Sequence, residues 1–313
     1  MNAQAVTPAF APAWLWIPIS IWAAFAQTMR NAAQRQLTGD LGTLGATLVR
    51  FLYGLPFAAL WLYAVHAVGR LDFPSPNWAF VAWIGVGAVS QIGATALLLR
   101  VMAERNFTLG VAYSKSEIIQ VAIFGFLFLG DPITPITALA VVCATLGVLL
   151  LSPADKERPL RALLSGWTAR PALLGLASGT GFAFSAVGYR GAALSLGDTP
   201  FLMAAAYALV TAQILQTLLL GGWLVLRKAE IVIRVLRAWR ASLFAGFMGA
   251  AASVGWFTAM AIEPIAHVRT LGLVELLFSY VVSRRVFREH FNRRERVGIA
   301  LLTLGLVIVT LRR

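Results

Sequence analysis

An all-α membrane protein with ten transmembrane helices, arranged as two inverted five-helix repeats, is the fold class that this 313-residue sequence predicts. Three observations carry that expectation. Charged residues make up 12% of the chain and hydrophobic ones 59%. A globular domain carries about 25% charged residues, so the chain lacks the polar surface that water requires. Its apolar runs are long enough to cross ~30 Å of hydrocarbon, and they lack the alternation over ~10-residue strands that marks a transmembrane barrel. Short motifs also recur at one ungapped spacing of 158 residues: Gly39-Asp40 as Gly197-Asp198, Met102-Ala103 as Met260-Ala261, Thr145-Leu146-Gly147 as Thr303-Leu304-Gly305, and Glu117 as Glu275.

Apolar runs place helices near 12–30, 43–66, 78–100, 107–130 and 134–151, then 171–189, 200–226, 241–262, 265–284 and 296–311. Residues 1–13 hold no Lys or Arg and so lack the basic start of a signal peptide; the first helix is expected to remain in the protein. The tenth run is short and needs little tilt or a thinned bilayer. The polar break beginning Ser152-Pro153-Ala154-Asp155-Lys156 makes 152–170 a linker between repeats 14–151 and 171–313. A unit with an odd number of spans enters on one side and leaves on the other, so its copy runs in the opposite sense. In such folds the substrate site lies near the midplane, between the repeats. Glu117 and Glu275 each stand eleventh in their runs, at midplane depth.

The net charge of +13 follows from Lys and Arg in loops, not from a compact basic domain, so nucleic acid is not an expected partner. Counting helix ends, odd-numbered loops hold 19 of the 26 Lys and Arg and the opposite face holds five. That bias puts the odd loops in the cytoplasm and both termini outside, in a bacterial-type inner (plasma) membrane. The single Cys143 cannot form an internal disulfide. His66, His267 and His290 have no metal-ligand spacing, and no phosphate-cradling Gly-Lys-Ser/Thr loop occurs. No enzyme, no cofactor and no metal is therefore expected, and the energy source is an ion gradient or the substrate gradient.

The ends of the two halves carry a family likeness. Phe128-Leu129-Gly130-Asp131-Pro132-Ile133-Thr134 precedes Ala144-Thr145-Leu146-Gly147-Val148-Leu149-Leu150, and Phe287-Arg288-Glu289 precedes Leu302-Thr303-Leu304-Gly305-Leu306-Val307. With these motifs the chain resembles the drug/metabolite transporter superfamily, specifically transporters of two EamA domains, over roughly 14–151 and 172–311. The resemblance implies ten helices, a central cavity lined by the first four helices of each half, and export or exchange of small metabolites. Members often keep both termini in the cytoplasm, whereas the charge bias here argues the reverse.

A carboxylate within the bilayer is costly and reads as functional. Glu117 shares a helical face with Tyr113, Ser114 and Gln120, and Glu275 with Gly272 and Ser279. Both glutamates are candidates for transport and for binding a coupling proton; the alternative is that they only bond neighbouring helices. The embedded cations have no counterparts, since Arg50 maps onto Ala208, Lys115 onto Leu273 and Arg269 onto Val111. Arg50 is the best candidate for shaping substrate choice. Lys115 stands about 200° around the helix from Glu117, and whether it or Arg269 faces the cavity is open. Gln27 and Arg30 at the end of the first helix, Tyr189 and Arg190 at the end of the sixth, Gln91 with Thr95, and Trp22 with Trp256 as aromatic walls complete the candidate cavity. The expected function is secondary transport, by alternating access, of small anionic or zwitterionic, amino-acid-like metabolites, with protons as a candidate coupling ion. The competing readings are efflux of lipophilic cations and a non-transporting scaffold. Either a monomer or a homodimer is compatible with the sequence.

Overall fold

The computed structural model describes residues 14–104, 117–135 and 170–285, with positions 12, 114, 138, 139, 142, 297, 300 and 304 besides. The expected fifth and tenth helices, the linker, Tyr113, Lys115 and Cys143 lie outside the described residues or nearly so. What is described is helical: α1 (Trp16–Leu52), α2 (Leu55–Gly69), α3 (Trp78–Glu104), α4 (Glu117–Phe124), α5 (Arg170–Ser195), α6 (Phe201–Gln216), α7 (Gly222–Arg227), α8 (Ala229–Arg237), α9 (Trp239–Ile262), α10 (Ile265–Leu271) and α11 (Val274–Arg285). A π-helical turn, Thr217–Gly221, joins α6 to α7, and another, Gly125–Leu129, follows α4.

Among the described residues, five stretches are long and apolar enough to cross a bilayer: Trp16–Gly69, Trp78–Ala103, Phe201–Arg227, Trp239–Ile262 and Ile265–Val282. The first has 54 residues, about 80 Å if straight, too long for one crossing. It folds at Gly42, whose φ of 68° and ψ of 173° suit only glycine. The first arm thus reaches Gly42, not residue 30 as expected. The reason is visible on the helix. Gln27, Arg30, Asn31 and Gln34 follow the i, i+3, i+4, i+7 spacing of one face, and that face points into the bundle, where Arg30, Asn31 and Gln34 are buried. Polarity that reads as a helix end is an inward stripe of a continuing helix. The expected single helix at 265–284 is also corrected: it breaks at Gly272-Leu273 into α10 and α11.

The tightest seams join α1 to α9 and α3 to α5. Small residues permit both. A Cβ on Gly255 would stand 2.7 Å from the Cβ of Ala23, and one on Gly188 2.8 Å from the backbone of Gly87 and Trp83. Further pairings follow the same plan: α4 lies on α5 and α11 on α1, while α2 meets α6 and α10 meets α4. Large apolar side chains such as Leu60, Tyr63, Leu218, Phe244 and Phe247 face outward, as lipid requires. The chain is an all-α, multi-pass membrane protein.

Candidate functional site

The break before α11 places Glu275 in that helix's first turn, where the partial positive charge of the helix N-terminus favours a carboxylate. Glu275 is fully buried. Its Oε2 accepts from Gln27 Nε2 at 2.7 Å and its Oε1 from Asn31 Nδ2 at 2.8 Å. Neither amide is free to turn. Gln27 Oε1 accepts from Trp256 Nε1 at 2.8 Å, and Asn31 Oδ1 accepts from Arg30 Nε and Nη2 at 3.2 and 2.6 Å. Indole and guanidinium groups only donate, so both amide oxygens must face them and both NH2 groups must face Glu275.

Trp256 also reaches the other glutamate. The Arg269 guanidinium lies 5.1 Å from its ring centroid, a cation–π distance, and Arg269 Nη1 stands 3.6 Å from Glu117 Oε1. Gly272 leaves room for the ring, since a Cβ there would come within 2.7 Å of it. Glu117 and Glu275 are thus connected through Arg269, Trp256 and Gln27.

Opposite, Arg50 Nη1 donates to Thr95 Oγ1 at 3.0 Å. Tyr189 Oη donates to Gln91 Oε1 at 2.8 Å, and Gln216 Nε2 donates to both Gln91 Oε1 and Tyr189 Oη at 2.8 Å. Between these networks lies a narrow cavity lined by Gln27, Arg50, Gln91, Ser114, Glu117, Tyr189, Trp256, Arg269 and Glu275. Leu98, Phe182, Ser253, Phe257 and Met260 complete its wall. Arg30, Arg50 and Arg269 are all buried, and each keeps one nitrogen, Nη1 of Arg30 and Nε of the other two, with no acceptor among the described residues. Among the described residues, Arg50 and Arg269 line the cavity beside the two carboxylates, and Arg30 is buried behind Asn31. A carboxylate or other oxyanion entering this space would meet the guanidinium groups of Arg50 and Arg269.

Other candidates lie elsewhere. Arg190 does not line the cavity: Nε and Nη2 donate to Asp131 Oδ1 at 3.2 and 2.9 Å, and Nη1 to the carbonyls of Met260 and Glu263. Asp131 Oδ2 also accepts from Ile265 N at 3.3 Å, so this ion pair clamps α5 to the α9–α10 junction. Gln120 is half-buried and apart from the cavity, and Trp22 is exposed on the outer surface. Tyr113 and Lys115 are outside the described residues. Ser253 in the cavity wall, Gln216 in the Tyr189 network and Asp131 in the Arg190 clamp were not singled out in the sequence. Ser253 was within reach of the 158-residue offset, which pairs it with Thr95; nothing in the sequence singles out Gln216.

Residues 169–311 match the family model of the EamA-like transporter family. Among solved structures, one crystal structure aligns over 96% of this chain and 97% of its own, with a TM-score of 0.64 at 15% sequence identity. That likeness is one of fold. No curated protein sequence matches the chain.

Proposed function

We propose that the chain, whose residues 169–311 match the EamA-like transporter family, is a membrane transporter that moves small anionic or zwitterionic metabolites by alternating access. The observation that carries the substrate class is the pair of guanidinium groups, Arg50 and Arg269, in the cavity lining. In this reading Arg50 and Arg269 receive the oxyanion. Glu117, held to Arg269 at 3.6 Å, is the carboxylate that a substrate ammonium or a coupling proton engages. Glu275, bonded by Gln27 and Asn31, ties α11 to α1.

The ten-span inverted repeat is part of the proposal. Its support is that α1 packs on α9 as α5 packs on α3, and α4 on α5 as α11 on α1. Helix ends agree as well: Gly69 and Arg227, and Glu104 and Ile262, each stand 158 residues apart. Two opposed copies around a midplane site form the frame on which one repeat rocks against the other. The proposed setting is an inner membrane with both termini outside. A C-terminal reporter active only in the cytoplasm should stay silent; a strong signal refutes that orientation.

The deciding experiment uses the purified protein in sealed liposomes, a panel of amino-acid-like and organic-acid solutes, and a controlled pH gradient. Uptake of anionic or zwitterionic solutes is expected, with Arg50→Ala weakening it at least about tenfold, the loss of a hydrogen-bonded charge contact. If Arg50→Ala instead speeds lipophilic cations, the substrate assignment fails. If no solute moves across a tight bilayer, transport fails and a scaffold role replaces it.

A further inference from the structure

A short amphipathic helix stands where two spans meet. α8 is flanked by the spans Phe201–Arg227 and Trp239–Ile262, so it lies at the membrane surface. At about 100° per residue, its side chains divide into three faces. Ile231 and Val235, one turn apart, are buried. Ile233 and Leu236 are exposed and form an apolar strip. Arg234 and Arg237 form an exposed basic strip, with Glu230 on the same side. Exposed cations continue past both ends: Arg227 and Lys228 before the helix, and Arg240 after it, with its guanidinium 5.3 Å from the Trp239 ring. Against these five cations, Glu230 is the single acid between residues 227 and 240.

Such a helix suits neither water, which would wet Ile233, Leu236 and Trp239, nor hydrocarbon, which would bury the arginines. The boundary between headgroups and acyl chains suits both strips. Charge then selects the headgroup. A zwitterionic headgroup answers its own phosphate with a choline, whereas an anionic one offers the phosphate to a guanidinium or ammonium group. We propose that α8 docks on anionic phospholipid headgroups, with Ile233 and Leu236 in the acyl boundary and Lys228, Arg237 and Arg240 on the phosphates. In the proposed orientation this end of the bundle faces the cytoplasm, the side whose leaflet carries anionic lipid.

The other side of α8 ties this surface to α1. Before the kink at Gly42, the Asp40 carbonyl accepts from Arg234 Nη1 at 3.1 Å. After the kink, a Cβ on Gly45 would stand 3.1 Å from Ile231 Cγ2, and Tyr53 Oη donates to the Val235 carbonyl at 3.2 Å. α8 therefore braces both arms of α1. The first arm carries Gln27 and the second Arg50, both in the cavity lining. A headgroup that holds α8 also steadies the angle between them.

The test compares amide hydrogen exchange of the full chain in nanodiscs of phosphatidylcholine alone and of phosphatidylcholine with phosphatidylglycerol. Phosphatidylglycerol should slow exchange over 229–240 at least about fivefold, the gain from one cation at an anionic surface. Residues 38–46, around Gly42, should slow with it, and both effects should fade at high ionic strength. Lys228→Gln/Arg237→Gln/Arg240→Gln should exchange alike in the two lipids. Lys228→Arg/Arg237→Lys/Arg240→Lys keeps the charges and should retain the difference. Arg234 is left intact in both variants because it holds Asp40. Equal exchange of the wild-type helix in the two lipids overturns the docking, as does a response that survives the glutamine variant or is lost in the charge-preserving one. Slowing at 229–240 without slowing at 38–46 overturns the brace. Protection by soluble glycerol phosphate in phosphatidylcholine nanodiscs would make α8 a site for free phosphate esters and overturn the lipid assignment.

Discussion

Glu275→Gln tests the central network through the locked amides around it. A glutamine side chain offers one acceptor and one NH2 group where the carboxylate offers two acceptors. One of the two amides now facing residue 275 must therefore turn. Asn31 would lose two bonds from the Arg30 guanidinium, and charge-assisted bonds are about twice as strong as neutral ones. Gln27 would lose one, from Trp256 Nε1, so Gln27 turns. Its oxygen then accepts from the new amide, and its NH2 group meets the indole N–H donor to donor. The buried indole is left unsatisfied, at about 1–3 kcal/mol.

Trp256→Phe alone also costs stability, about 1 kcal/mol for the donor lost to Gln27, together with the weaker cation–π face of Phe beneath Arg269. In the Glu275→Gln background, however, it removes the orphaned N–H itself. The double variant should then be more stable than the sum of the singles by about 1–2 kcal/mol. The measurement is a double-mutant cycle on unfolding free energies of the purified protein in bicelles at fixed pH. Additivity within about 0.5 kcal/mol, the behaviour of independent sites, would refute the locked-amide network.

Two further outcomes follow from packing and charge. Gly188→Ala should destabilise by at least about 1–3 kcal/mol, because its Cβ would stand 2.8 Å from Gly87 N and Trp83 O, which are backbone atoms and have no rotamer to yield. Gly93→Ala, with nothing within 4 Å, is the matched control and should shift thermal unfolding little. Asp131→Ala leaves Arg190 buried without its carboxylate and should cost about 3–5 kcal/mol; Asp131→Asn keeps an acceptor and should lose less of the monodisperse folded fraction in detergent. Equal losses from the two Asp131 variants would show that the charge contributes nothing there.

Class and the two cavity-lining glutamates were legible in the sequence for different reasons. Membrane character follows from composition, and the paired glutamates from an offset that needs no structure to see. The helix ends were misread where polarity serves the interior. Arg30 looked like an interfacial residue because hydropathy averages around the helix, while burial depends on one face. The spacing of 27, 30, 31 and 34 is the signal that distinguishes the two. Arg190 was assigned to the cavity, and its partners explain why the sequence misleads: Asp131 and the carbonyls of Met260 and Glu263 lie 59, 70 and 73 positions away. Which acceptors converge on a guanidinium is a property of tertiary packing. Gln216 was invisible for the same reason, since it acquires meaning only when α6 brings it to Tyr189 and Gln91.

The proposed repeat is not symmetric at the arginines. On the proposed repeat, α3 and α9 present equivalent faces: Gln91, Thr95, Leu98 and Met102 on one, Gly249, Ser253, Trp256 and Met260 on the other. In the α3–α5 seam, Gln91 is filled against Tyr189. In the α1–α9 seam the equivalent position is Gly249, where a Cβ would stand 3.3 Å from Arg30 Cδ and 3.4 Å from Arg50 Cγ. The missing side chain is thus the space through which two guanidinium groups pass. Two like charges brought together this way in a membrane repel each other unless anions answer them, and Glu275 answers Arg30 only through Asn31. On the proposed repeat, duplication accounts for the paired glutamates, whereas the change at this one pair of positions, Gln91 against Gly249, accounts for the room in which Arg30 and Arg50 meet. Refilling it with Gly249→Gln would displace an arginine, and uptake of the proposed anionic solutes should fall with it.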